Sequence, residues 1–292
     1  MLTLATAAHV GAAVGGGLVL GLLFCGLMYW FLLLRRYLQT GVPAPAYRAC
    51  LRESHWTGRD LLFVGVVVGV YILLYFIIGS LLRAFGVEKS WVHVVVALQN
   101  TLLQLLVGTV LLIRLFSAGR GLRESFRLAG ARGRSWGGVV GQIAKWYVLV
   151  LPLILVAALI SQGLFAQPDQ EHSFQPVLVV FRDAATPGWF RWWLAGVAVI
   201  LAPVVEEVLF RGVVLPVMLQ KNGVWMSLVG CSLLFAVVHG HLPAMLPLFA
   251  LGMGLGAAYL YTGDLLVPIG MHALFNGVSL LVLLLTSFPN LV

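Results

Sequence analysis

Between Trp192 and Leu219 the chain reads WWLAGVAVILAPVVEEVLFRGVVLPVML. The stretch is long and apolar enough to cross a bilayer, for which about 20 mainly apolar residues suffice. Yet its middle, PVVEEVLFRG from Pro203 to Gly212, holds two adjacent carboxylates and an arginine. An ionised side chain at membrane depth costs ~2.5–3.5 kcal/mol even on lenient insertion scales. Whether lipid is the solvent, and what offsets that cost, depends on the sequence around it.

Composition answers the first point. The 292 residues are 61% hydrophobic and 10% charged, with a mean hydropathy of +1.01. A soluble domain carries about 25% charged residues, so this chain has too little polar surface to coat a globule in water. The expected fold is all-α: a polytopic integral membrane helical bundle of about eight transmembrane helices. Candidate spans lie at roughly 8–34, 60–82, 91–115, 138–161, 192–219, 224–239, 243–261 and 265–286, the sixth of them short. Residues 1–161 form an N-terminal set of about four spans. Residues 162–190 form an extracytoplasmic loop, and residues 191–292 a core of about four more spans. Within the loop, QPVLVVFRDAATPGWFRWW predicts a short interfacial helix and an aromatic anchor at Trp189, Trp192 and Trp193.

The net charge of +8 is not a nucleic-acid footprint. Most of the arginines fall in two clusters, Arg35 to Arg59 and Arg114 to Arg134, each between apolar spans. Cationic loops of that kind set topology beside anionic headgroups. The bilayer is the expected partner, with no nucleic acid. Both arginine loops fall on one side if the spans alternate, which predicts cytoplasmic arginine loops and an extracytoplasmic N-terminus. Cys25, Cys50 and Cys231 show no pairing or ligand spacing. The first basic residue, Arg35, follows the first apolar run, so the N-terminal segment reads as a span and not a cleaved leader.

The unusual polar residues gather in the last four spans. Glu207 and Arg211 are four apart with the acid first, the favoured order for a helical ion pair. Glu206 is offset by about 100° around the helix, free to face a cavity. The next span ends FAVVHGH, with Phe235 and His239 four apart. The last contains MHALFNG, with His272 and Asn276 again four apart. Convergence of a carboxylate, two imidazoles and a carboxamide from separate membrane helices is the pattern of an intramembrane active site.

Such a set supports hydrolysis. A carboxylate with an imidazole can hold and deprotonate a water. A second imidazole and a carboxamide can face the oxyanion that develops as water attacks an amide. Glu206, His239 and His272 are equally the His₂Glu ligand set of a catalytic zinc, although the helical H-E-x-x-H arrangement is missing. Ser232 lies seven residues before His239, on the same face, and leaves a serine mechanism as a further option.

These residues resemble the signature of the CAAX protease and bacteriocin-processing family, the Abi membrane proteases: EExxxR, then FxxxH, then HxxxN or HxxxD. Here they stand as Glu206-Glu207-x-x-x-Arg211, Phe235-x-x-x-His239 and His272-x-x-x-Asn276, in order and on separate spans. The segment LFALGMGLGAAYLYTGDLLVPIGMH resembles the family's small-residue helix and the turn into the last motif. The resemblance implies an intramembrane endopeptidase acting on a peptide or prenylated peptide. It implies that Glu206 and His239 activate the water and that His272 and Asn276 stabilise the oxyanion. Glu207, Arg211 and Phe235 support them. A metal-independent mechanism is the expectation, with zinc on Glu206, His239 and His272 the alternative.

Gly252, Gly254 and Gly256 are expected to let helices approach closely, because small residues bring membrane backbones together. Gln99, Asn100 and Gln104 either join helices or line the cavity. His241, outside the motifs, reads as an interfacial histidine. Two rival functions share the sequence: a proton-coupled carrier using Glu206, His239 and His272 as a relay, and a non-catalytic immunity or scaffold protein of the same fold.

Overall fold

The computed structural model describes residues 54–87, 89–117, 135–165 and 186–287, with Phe181 and a few positions between 21 and 32. The predicted span at roughly 8–34, most of both arginine clusters and the predicted interfacial helix fall outside the described residues. Each of the other seven predicted spans is a helix: α1 Gly58–Ala84, α2 Lys89–Ser117, α3 Trp136–Phe165, α4 Gly188–Lys221, α5 Val224–Val238, α6 Met245–Thr262 and α7 Leu266–Ser287. Among the described residues six of these are long and apolar enough to cross a membrane, and α5 is shorter. The protein is a polytopic integral membrane protein.

Lipid solvation shows in which surfaces are apolar. Leu62, Phe76, Ile113 and Leu159 are each at least 60% exposed, which only a hydrocarbon solvent tolerates on this scale. Half of the most apolar window of α6 is buried inside the protein, against 6% for α1, so α6 is central and α1 peripheral. Around α6 stand α3, α5 and α7, with α4 joining them through Phe210, Val213 and Leu215. The glycines permit this. A β-carbon on Gly254 would overlap Val150 of α3, and one on Gly256 would overlap Leu228 of α5. Gly252 is similarly tight: its β-carbon would lie 3.1 Å from Ser232 Cβ. The expected role of this series, close helix packing, is what the structure contains.

Two features place polar groups at depth. The first is the length of α5. Its 15 residues rise only about 22 Å, short of the ~30 Å hydrocarbon core. The helix stops at His239, and Gly240 turns the chain with φ +63°. His239 is therefore the C-cap of a helix shorter than that core.

The second is the interruption of α4. Its α-helical ladder widens into π turns at Val197–Leu201 and Phe210–Val214. Each π turn closes with an N–H bonding five residues back, Ala202 to Val197 and Leu215 to Phe210. In that register the next nitrogens belong to Pro203 and Pro216, which have no hydrogen to give. The sequence spacing is the same in both turns, and proline is the physical cause in each. Single π turns of this kind favour functional sites, and these two bracket Glu206 and Glu207.

Candidate active site

Glu207 and Arg211 lie at the centre of the molecule, each with 0% exposure. Arg211 Nη1 donates to Glu207 Oε1 at 2.6 Å, and Nη2 donates to the Gly252 carbonyl at 3.0 Å. The guanidinium also lies 4.8 Å from the centre of the Phe235 ring. The predicted ion pair is present, and it joins α4 to the glycine face of α6. His272 Nδ1 sits 2.9 Å from the same Glu207 Oε1. A carboxylate that already accepts from arginine can only accept again, so His272 carries its hydrogen on Nδ1 and turns Nε2 the other way.

Glu206 takes the neighbouring face, as its offset around the helix predicts. Its Oε2 lies 3.7 Å from His239 Nε2 and 3.9 Å from His272 Nε2. Both separations exceed a direct hydrogen bond. Glu206 Oε2 is buried and has no hydrogen-bond partner among the described residues. His239 Nδ1 is 2.7 Å from the Phe235 carbonyl. A carbonyl only accepts, so the hydrogen is again on Nδ1 and a neutral His239 presents the Nε2 lone pair to Glu206. Two imidazole nitrogens and one carboxylate oxygen thus face a common point.

Phe235 ties these parts together. It is fully buried, meets Phe210 edge to face at 5.2 Å, and lies 4.8 Å from the His239 ring and 5.6 Å from the His272 ring. Its ring positions both imidazoles and its carbonyl fixes the tautomer of one. The side-chain exposure of Glu206 is 18% and of His239 22%, against 3% for His272. The site is therefore open from the Glu206–His239 side.

Asn276 stands apart from this cluster. Its Nδ2 donates to the Ala198 carbonyl at 2.8 Å. That carbonyl is the one whose partner in the π register would be Pro203, so Asn276 supplies the missing donor. One amide hydrogen of Asn276 remains for other work. Ser232 is directed elsewhere: its hydroxyl donates to the Leu228 carbonyl at 2.7 Å, within its own helix. Gln104, of the three polar residues on α2, reaches the site, donating from Nε2 to Glu206 Oε1 at 2.9 Å. Gln99 is buried and its backbone carbonyl accepts from the Tyr71 hydroxyl, whereas Asn100 is exposed. His241 begins the short 3₁₀ turn Leu242–Ala244.

With the geometry in place, comparison with known proteins locates the segment. Residues 187–278 match the family model of type II CAAX prenyl endopeptidases, Rce1-like. The Rce1-like segment starts at the N-cap of α4 and ends within α7, so it contains all three motifs. This agrees with the resemblance carried by those motifs, and Rce1-like proteins are a CAAX-type intramembrane protease family. An uncharacterised 24.3 kDa protein of Escherichia coli is 29% identical over 143 residues, 46% of this chain. The chain covers 63% of that relative's length. No solved structure matches the chain.

Glu206, His239 and His272, the donors considered for zinc, face one another with the carboxylate oxygen 3.7 and 3.9 Å from the two imidazole nitrogens. Among the described residues no group of three His, Cys, Asp or Glu converges closely enough to hold a metal.

Proposed function

We propose that the protein is an intramembrane endopeptidase in which Glu206 and His239 activate a water for attack on a peptide bond. One observation carries the reading: Glu206 Oε2 is buried, without a hydrogen-bond partner among the described residues, and turned toward two imidazole Nε2 atoms at 3.7 and 3.9 Å. Polar contacts of that length suit a shared water. The water would donate to Glu206 Oε2 and to the His239 lone pair. As its oxygen bonds to the scissile carbonyl carbon, its proton passes to Glu206. The C–N bond then breaks, and that proton goes to the leaving amine. His272, held through Nδ1 by Glu207, turns Nε2 toward the developing oxyanion and would donate to it in the form that carries a hydrogen there. The remaining amide hydrogen of Asn276 is a second candidate donor.

Peptide or prenylated peptide is the substrate class that accompanies the Rce1-like segment. The host membrane is a bacterial plasma membrane, with the arginine loops cytoplasmic and the N-terminus outside.

The test is cleavage by the purified, lipid-reconstituted protein, with prenylated CAAX peptides and unmodified leader-type peptides offered side by side. New termini are read by mass spectrometry, with and without chelator. Cleavage that survives chelator supports the water mechanism. Cleavage abolished by chelator, or a hydroxylamine-trapped acyl-enzyme, would overturn it. A chain that cleaves no peptide but moves protons down a pH gradient would be a carrier instead.

A further inference from the structure

We propose that Gln104 is a positioning residue for Glu206, so that the site is completed by α2, outside the Rce1-like segment. The inference rests on the reading of Glu206 given above and adds a residue that no motif contains.

The two carboxylate oxygens of Glu206 are treated differently. Oε1 accepts from Gln104 Nε2 at 2.9 Å, whereas Oε2 faces the histidines without a hydrogen-bond partner among the described residues. The terminal torsion of a glutamate is broad and roughly two-fold, so nothing intrinsic to the side chain keeps one oxygen toward the imidazoles. A donor on Oε1 does. Gln104 and Glu206 are 102 residues apart in sequence, and packing brings them together.

The approach of α2 to α4 has its own explanation. One turn beyond Gln104, Gly108 lies against α4, and a β-carbon there would stand 3.4 Å from Val205 Cγ2. Val205 immediately precedes Glu206. Val107, Leu111 and Leu115 are buried beside them. The same face of α2 therefore supplies the close contact at Gly108 and the carboxamide at Gln104. A membrane-embedded carboxamide needs a partner, and this one has the carboxylate.

Gln104 does not touch the reacting atoms. Removing its N–H leaves the carboxylate present but free to rotate, and misplacement of a catalytic group costs up to about 10²-fold in rate. Methionine has nearly the same shape without the donor, which makes Gln104→Met the informative change.

The experiment combines infrared spectroscopy with kinetics on the full-length protein in lipid. Protein labelled with ¹³C-glutamate, minus Glu206→Gln labelled in the same way, isolates the Glu206 carboxylate band. In Gln104→Met this band should move, while the melting temperature stays within a few degrees of the wild type. On the peptide cleaved by the wild type, kcat should fall about 10–100-fold with KM within about twofold. Gln104→Asn keeps the donor one methylene too short and should move the band in the same direction. An unmoved band in Gln104→Met would overturn the proposal whatever the activity, as would wild-type kcat with a shifted band. Failure of both variants to fold would make Gln104 a structural residue and overturn it too. A shifted band in a protein that cleaves nothing would keep the Gln104–Glu206 contact and count against the protease reading alone.

Discussion

At the scale of single residues, adjacent glutamates have opposite environments. Glu207 is fully enclosed and shared between Arg211 and His272, whereas Glu206 keeps one oxygen for the histidines. The ion pair offsets the cost of burial only while both partners are present. Truncating one member of a buried pair costs about 3–5 kcal/mol, because the other is left as an uncompensated charge. Arg211→Met should therefore lower the melting temperature sharply and reduce the yield of folded protein. Glu206→Gln should melt within about 1 kcal/mol of the wild type, since it stays hydrogen-bonded to Gln104 and loses no ion-pair partner at bonding distance. Thermal unfolding in detergent compares the two, and equal losses would contradict the division of roles. This division was legible in the sequence, because a four-residue spacing pairs Glu207 with Arg211 and turns Glu206 away. The Phe235 carbonyl as the anchor of His239 was not legible, since the motif records a side chain and the contact is made by the backbone.

At the scale of elements, the two π turns in α4 explain more than the motifs do. Pro203 removes an N–H that the Ala198 carbonyl would otherwise use, and Asn276 of α7 supplies a donor in its place. Neighbouring helices re-satisfy backbone groups freed by proline in membrane helices. A buried carbonyl left without its partner costs about 1–3 kcal/mol. Asn276→Ala should be destabilising by that amount in the wild type and by less in Pro203→Ala, where the backbone regains its donor. A double-mutant cycle should give a coupling of about 1 kcal/mol between two residues on different helices; additivity would show that Asn276 does something else. Lost activity in Asn276→Ala then identifies an oxyanion donor only after this structural share is removed. Hydropathy gave the seven described helices to within a few residues at most ends but could not register the π turns. The pattern that produces them, a proline six residues past the first π carbonyl, is local and visible only once the backbone register is known.

At the scale of the whole molecule, aromatic residues mark two levels. Trp189 and Trp192 are exposed at the start of α4, and Trp136 and Trp225 at the starts of α3 and α5. Interfacial tryptophans of this kind anchor helices at the headgroups, and spans that alternate would set the two pairs on opposite faces. With the native cysteines replaced, a membrane-impermeant maleimide should label Ser135→Cys only from the cytoplasmic face and Thr186→Cys only from the other. Labelling of both from one side would contradict the topology. The core around α6 was foreshadowed by its glycines, whereas the sequence left open whether Gln99, Asn100 and Gln104 join helices or line the cavity, because Gln104 and Glu206 meet only after the bundle packs. The central claim is that Glu206 activates the water, and a single-turnover comparison in proteoliposomes tests it most directly. With Glu206→Gln matched to the wild type in melting temperature, the account predicts that the cleavage rate constant falls by about 10²–10⁴-fold, the contribution of a positioned general base. A Glu206→Gln protein that cleaves within tenfold of the wild type would contradict it.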